Sequence, residues 1–158
     1  VKKTLLTATL VFSSLAPASH AATAGTFYLD AKIGCYAADK SPTKSHKWST
    51  TNYKTLYATS CKSPHHYEVY LITKLKAKNL SSDAAQKEAS TACSKAARSK
   101  INGADVPATL TFAYFFPDPG AEQKKYGTKT ICFFRVADAK SDQYSLSISK
   151  PIVTVNYI

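Results

Sequence analysis

At 158 residues with a formal charge of +11, the chain is long enough for one hydrophobic core and too short for two independent ones. Nearly all of the surplus is lysine, the only arginines being Arg98 and Arg135; a hydrated ammonium attracts polyanions without the planar fork used to read bases, which argues against sequence-specific nucleic-acid binding. The composition fits attraction to an anionic cell-wall polymer or membrane surface, or a plainly solvated exterior.

The chain opens "VKKTLLTATLVFSSLAPASHAA", two lysines followed by an apolar run from Leu5 to about Ala16 and the small-residue site Ser19-His20-Ala21. This is the pattern of a secretory signal peptide over 1–21, cut after Ala21. Threonines and serines interrupt the run, which is shorter than the roughly 20 residues that cross a bilayer. Cys35 lies too far beyond it for lipid attachment. Cleavage would remove Lys2 and Lys3 and leave 137 residues carrying +9, a secreted or extracytoplasmic protein that could associate with the cell wall.

Residues 22–30 read as a flexible lead-in, and 31–158 as one disulfide-bonded domain. "AKIGCYAA" (31–38) alternates as a short strand with Ile33, Cys35 and Ala37 on one face. "DKSPTKSHKWSTTN" (39–52) has no periodicity and reads as an exposed loop or hairpin tip around Trp48. "YKTLYATSC" (53–61) alternates Tyr53, Thr55, Tyr57, Thr59 and Cys61 against Leu56 and Ala58, a strand. Pro64 then disfavours a helical Ser63. "YEVYLITKL" (67–75), apolar on both faces through Val69-Tyr70-Leu71-Ile72, is the central strand.

The period changes in "NLSSDAAQKEASTACSKAARSKING" (79–103). Ser81 or Ser82 can cap a helix, Asp83 suits its positive end and Gly103 its stop. Ala85, Ala89, Ala92, Cys93 and Ala96 line one side, a stripe that permits close approach to a sheet. Two more strands, "ATLTFAYFF" and "TKTICFFRV", flank the turn-rich "PDPGAEQKKYG"; in the second, Cys132, Phe134 and Val136 share one face, and Ile131 and Phe133 the other. "DAKSDQ" reads as a turn, and "YSLSISKPIVTVNYI" as one or two last strands, with Pro151 at an edge or a break. The order β, β, β, α, β, β, β predicts an α+β fold: a mostly antiparallel sheet with one packed α-helix.

Four cysteines in an oxidising compartment imply two disulfides. Spacing does not choose among the three pairings. The helical stripe brings Cys93 towards a strand, so the expected pairs are Cys35–Cys61 and Cys93–Cys132, each stabilising by roughly 3–4 kcal/mol through loop-closure entropy. No thiol would then remain as a nucleophile.

"CKSPHHYEVY" (61–70) holds the candidate chemistry: His65, His66 and Glu68, with Tyr67 and Tyr70 as further binding candidates. His65 and Glu68 are three apart, a spacing that joins side chains on a helix but opposes them on a strand. They would form no dyad unless the strand begins only after His66; His66 and Glu68 could share a face. A metal site would need a third ligand, such as His46 or an aspartate, and no metal, no cofactor and no catalytic residue is expected. There is no G-x-S-x-G, H-E-x-x-H or glycine-rich phosphate loop. The enzymatic alternative is a small secreted cationic hydrolase, most concretely a ribonuclease, whose acid/base parts would be histidine, Glu68 and an arginine.

"TSCKSPHHYEVY", then a cysteine-bearing helix and "GTKTICFFR", resembles the septum formation-related domain of exported actinobacterial proteins over about residues 31–136. The matching positions are Cys35-Tyr36; Cys61, Pro64, His65, Glu68 and Val69; Cys93; and Gly127 with Cys132. The chain departs from that pattern in lacking an acidic residue between Gly34 and Cys35 and in having Tyr126 where tryptophan is common. The resemblance implies an exported, disulfide-bonded domain of the cell envelope or septum, with no enzymatic activity to transfer. The expected function is therefore a non-enzymatic binding or structural module, with the His65–Tyr70 edge as its recognition surface.

Overall fold

The computed structural model describes residues 30–38, 44–47, 56–76, 82–117, 123–124 and 127–152. The expected leader, most of the lead-in, Trp48, Tyr53, Ser81, Tyr126 and residues 153–158 lie outside these.

Among the described residues, seven strands form one sheet: β1 (Gly34–Ala37), β2 (His46–Lys47), β3 (Tyr57–Thr59), β4 (Tyr67–Lys74), β5 (Leu110–Phe115), β6 (Lys129–Asp138) and β7 (Ser141–Ser145), with helix α1 (Ser82–Ile101) between β4 and β5. Neighbours run in the order β2-β7-β6-β4-β1-β3, β5 pairing with β6 as well, and every ladder is antiparallel. The α+β expectation, one packed helix on a mostly antiparallel sheet, is what the chain adopts.

β6 is the hub, its ten residues pairing with three strands, β4, β5 and β7. Residues 129–134 pair with β4 and residues 131–136 with β5. The strand is also buried on both faces through residues 130–137, which is why "ICFFRVA" carries apolar residues without regular polar alternation. Ile131, Phe133, Val69 and Tyr67 pack on one face with Tyr36 and Phe115. Cys132, Phe134 and Val136 pack on the other with Tyr70, Cys93 and Ala97.

Helix α1 covers that second face. Ala85, Ala89 and Cys93 are fully buried and Ala97 nearly so, one row at four-residue spacing that lets the backbone approach the sheet. The expected stripe shifts slightly: Ala92 and Ala96 are half-buried flanks, and Ala97 completes the row. Asp83 lies in the first turn, Arg98 and Lys100 in the last. Gly103, at φ 74°, ends the helix in the left-handed conformation that glycine adopts most cheaply.

A bulge in β4 leaves Tyr70 unpaired between the Val69–Phe133 and Leu71–Cys132 pairs. Tyr70 stacks on Phe134 with ring centroids 4.1 Å apart and donates its hydroxyl to Cys93 O at 3.0 Å. The bulge thus ties sheet to helix beside the Cys93–Cys132 disulfide.

Two expectations are corrected. Within the stretch read as an exposed loop or hairpin tip, His46–Lys47 forms β2, which pairs with the distant β7. The "DAKSDQ" turn is shorter than expected, Ala139–Lys140 alone making the reversal before β7 begins at Ser141. The first arises because a two-residue strand is dictated by its partner and carries no periodicity of its own.

Candidate functional site

Both disulfides form as expected, Cys35–Cys61 and Cys93–Cys132, leaving no free cysteine. The first sits beside the histidine-glutamate group. Its neighbourhood follows from register: Cys35 on β1 lies directly opposite Glu68 on β4, which in turn lies opposite Phe134 on β6. Cross-strand partners share a face, so Cys35 and Glu68 adjoin on the face that α1 covers.

Pro64 and a turn closed by Ser63 N–H donating to Ser60 O, at 2.9 Å, bring His65 and His66 in ahead of β4. The regular strand starts only at Tyr67, which is the condition under which His65 and Glu68 can meet. They do: His65 Nε2 lies 2.9 Å from Glu68 Oε1. The expectation of opposite faces fails here because residue 65 precedes the strand, paired by its backbone to Ile148. No hydrogen bond joins His66 to Glu68; His66 turns to other partners.

The hydrogen-bond pattern places the proton. His65 Nδ1 lies 2.7 Å from Ser63 O, and a carbonyl only accepts, so Nδ1 carries a hydrogen. Nε2 faces a carboxyl oxygen, and a hydrogen must lie between them as well. It belongs either to an imidazolium beside a carboxylate or to a carboxylic acid beside a neutral ring, and both forms hold the same number of protons. Glu68 Oε1 accepts a further bond from Ile152 N–H at 2.7 Å. Exposure is 0% at His65 and 1% at Glu68, so the pair is internal and satisfied.

His66, equally buried, is fixed differently. Ala38 N–H donates to Nδ1 at 3.1 Å, so Nε2 carries the hydrogen and donates to Lys44 O at 2.7 Å. Its ring lies 5.8 Å from that of His46, centroid to centroid. His66 N–H also donates to Tyr36 O. The residue clamps the end of β1 to the segment leading into β2.

Tyr67 and Tyr70 are buried too. Burial pushes both phenols above their ordinary value, opposed at Tyr67 by the neighbouring Ser145 hydroxyl and the charge of Arg135. Tyr36 is raised for the same reason. The segment expected as a recognition edge is therefore inside the molecule, and none of its candidate side chains is offered to a large ligand.

One atom from each of Cys35, His65 and Glu68 can be chosen so that all three lie within 4.8 Å of one another. The sequence pointed to His46 or an aspartate for a third partner and not to Cys35, whose sulfur was assigned wholly to its disulfide. The signal was Cys35 one strand over from Glu68, visible only once register is known. In the disulfide, Cys35 offers no thiolate for metal binding or catalysis. A cleft of about 470 Å³ opens along β1 and β3, bordered by Asp30, Lys32, Cys35, Leu56 and Thr59; Cys35 is shared with it, but neither His65 nor Glu68 lines it.

Compared with protein-family models, curated proteins and solved structures, the chain matches none.

Proposed function

We propose that the protein is a non-enzymatic binding or structural module of the extracytoplasmic cell envelope, drawn by its lysines to an anionic polymer or membrane surface. The observation that carries the reading is the division of labour between inside and outside. His65, His66 and Glu68 are sealed in the core and occupied by framework hydrogen bonds, while Lys32, Lys44, Lys47, Lys62, Lys74 and Lys87 are exposed. A ribonuclease needs an imidazole that reaches its substrate, and these two do not.

Two disulfides fit an oxidising compartment, and no helix among the described residues is long and apolar enough to cross a membrane. The resemblance to the septum formation-related domain of exported actinobacterial proteins supplies the setting, an envelope role near the division septum. The test is retention of the purified, oxidised protein on isolated actinobacterial cell walls across a salt series. Retention should fall steeply as the screening length drops through about 10 Å near 0.1 M salt. Absent or salt-insensitive retention would count against the reading, as would cleavage of RNA by the wild type that a His65→Gln variant loses.

A further inference from the structure

We propose that Cys35, Cys61, His65 and Glu68 form a latent zinc site, closed while the first disulfide is intact and opened by its reduction. Three of the four groups are already gathered, with their candidate ligand atoms within 4.8 Å of one another. The fourth, Cys61 Sγ, is bonded to Cys35 Sγ. Two thiolates, an imidazole nitrogen and a carboxylate oxygen make a tetrahedral donor set suited to zinc, with bonds of about 2.3 Å to sulfur and 2.0–2.2 Å to nitrogen and oxygen. Cys61 lies in a turn, so its sulfur can swing from its partner to a ligand position without moving a strand.

The outer shell is independently arranged for a metal. A zinc-bound histidine commonly donates its second ring N–H to a backbone carbonyl, which fixes the tautomer and aims the other nitrogen at the ion. His65 does this now: Nδ1–H is held by Ser63 O at 2.7 Å, and Nε2 points at Glu68. Glu68 is held by Ile152 N–H. The proton between Nε2 and Oε1 occupies the place a cation would take.

The chemistry balances with a dithiol as reductant. The dithiol gives two hydrogens to the Cys35–Cys61 bond and closes its own disulfide, producing two protein thiols. Zinc then displaces the two thiol protons and the one shared by His65 and Glu68, all to solvent. Exposure makes the reduction selective: Cys61 is half-buried, whereas Cys93 and Cys132 are both at 0%.

Cobalt(II) is the probe, because its thiolate charge-transfer and ligand-field absorption report sulfur ligation and tetrahedral geometry. The full chain is treated with a dithiol, freed of it under inert gas, mapped for thiols by alkylation, and titrated with cobalt while circular dichroism follows the fold. The expected result is thiols at Cys35 and Cys61, retained secondary structure, and tetrahedral cobalt at one equivalent in the reduced protein with none in the oxidised. Glu68→Gln, which keeps both cysteines, should weaken binding by at least about tenfold, the loss that follows even from removing an outer-shell partner. Reduced protein that stays folded but takes up no cobalt overturns the proposal. So does loss of the fold on reduction, or equal binding by a Cys35→Ser variant, which would place the metal on Cys93 and Cys132.

Discussion

Truncating Glu68 to alanine strands two buried polar groups, Ile152 N–H and His65 Nε2. Breaking a buried pair from one side costs more than the pair contributes, about 3–5 kcal/mol, because the survivor keeps its desolvation penalty. His65→Ala should cost a comparable amount and also free Ser63 O. In the double variant the losses should not add: a double-mutant cycle by denaturant unfolding, with disulfides intact, should give a coupling of about 1–3 kcal/mol. Additive losses would mean that the two side chains stabilise separate parts of the fold. At this scale the sequence was informative about residue type and silent about contact. The spacing of His65 and Glu68 permitted a pair only if β4 began at Tyr67, and the strand start is set by the turn before it and by Ile148, 83 positions downstream of His65.

Helix α1 is held by smallness, and its tolerance should follow the row of alanines rather than overall hydrophobicity. Ala89→Leu, in the fully buried row, should destabilise by about 1–3 kcal/mol through overpacking against Leu75 and its neighbours. Ala92→Leu, half-buried one position short of Cys93, should stay within about 1 kcal/mol; thermal unfolding of the two variants compares them directly. Equal effects would show that the helix stands off the sheet. This element was readable in advance because its alanine period, capping residues and Gly103 agree with one another. So was the pairing of Cys93 with Cys132, which follows from a cysteine on the sheet-facing row. The bulge at Tyr70 was not readable. "VYLI" looks like a strand with two apolar faces, and only the register against Phe133 and Cys132 reveals that Tyr70 and Leu71 both turn towards the helix. β2 escaped for a related reason, since its two residues are a strand only by virtue of β7.

For the molecule as a whole, the buried tyrosines set an alkaline limit. Tyr36, Tyr67 and Tyr70 all have phenols raised above the ordinary value of 10.0, chiefly by burial. A raised folded-state value means that the fold favours the neutral phenol. That contribution is complete below the unfolded-state value and is lost as pH climbs from there through the folded-state values. Lys129 acts in the opposite sense, its amine lowered by burial and partly restored by Asp30, but it is one half-buried group against three phenols. Stability should therefore decline above about pH 10, with tyrosinate absorbance from these three rising together with loss of tertiary circular dichroism. Titration of all tyrosines ahead of unfolding would show the phenols to be hydrated.

The two crosslinks enclose successive stretches, 35–61 and 93–132, and neither loop straddles the other. A polypeptide threaded amino end first into an oxidising space would meet its cysteines in pairs, the first couple available before the third arrives. Pairing in order of emergence would yield the native set, so maturation of this chain should need an oxidant and have little use for an isomerase.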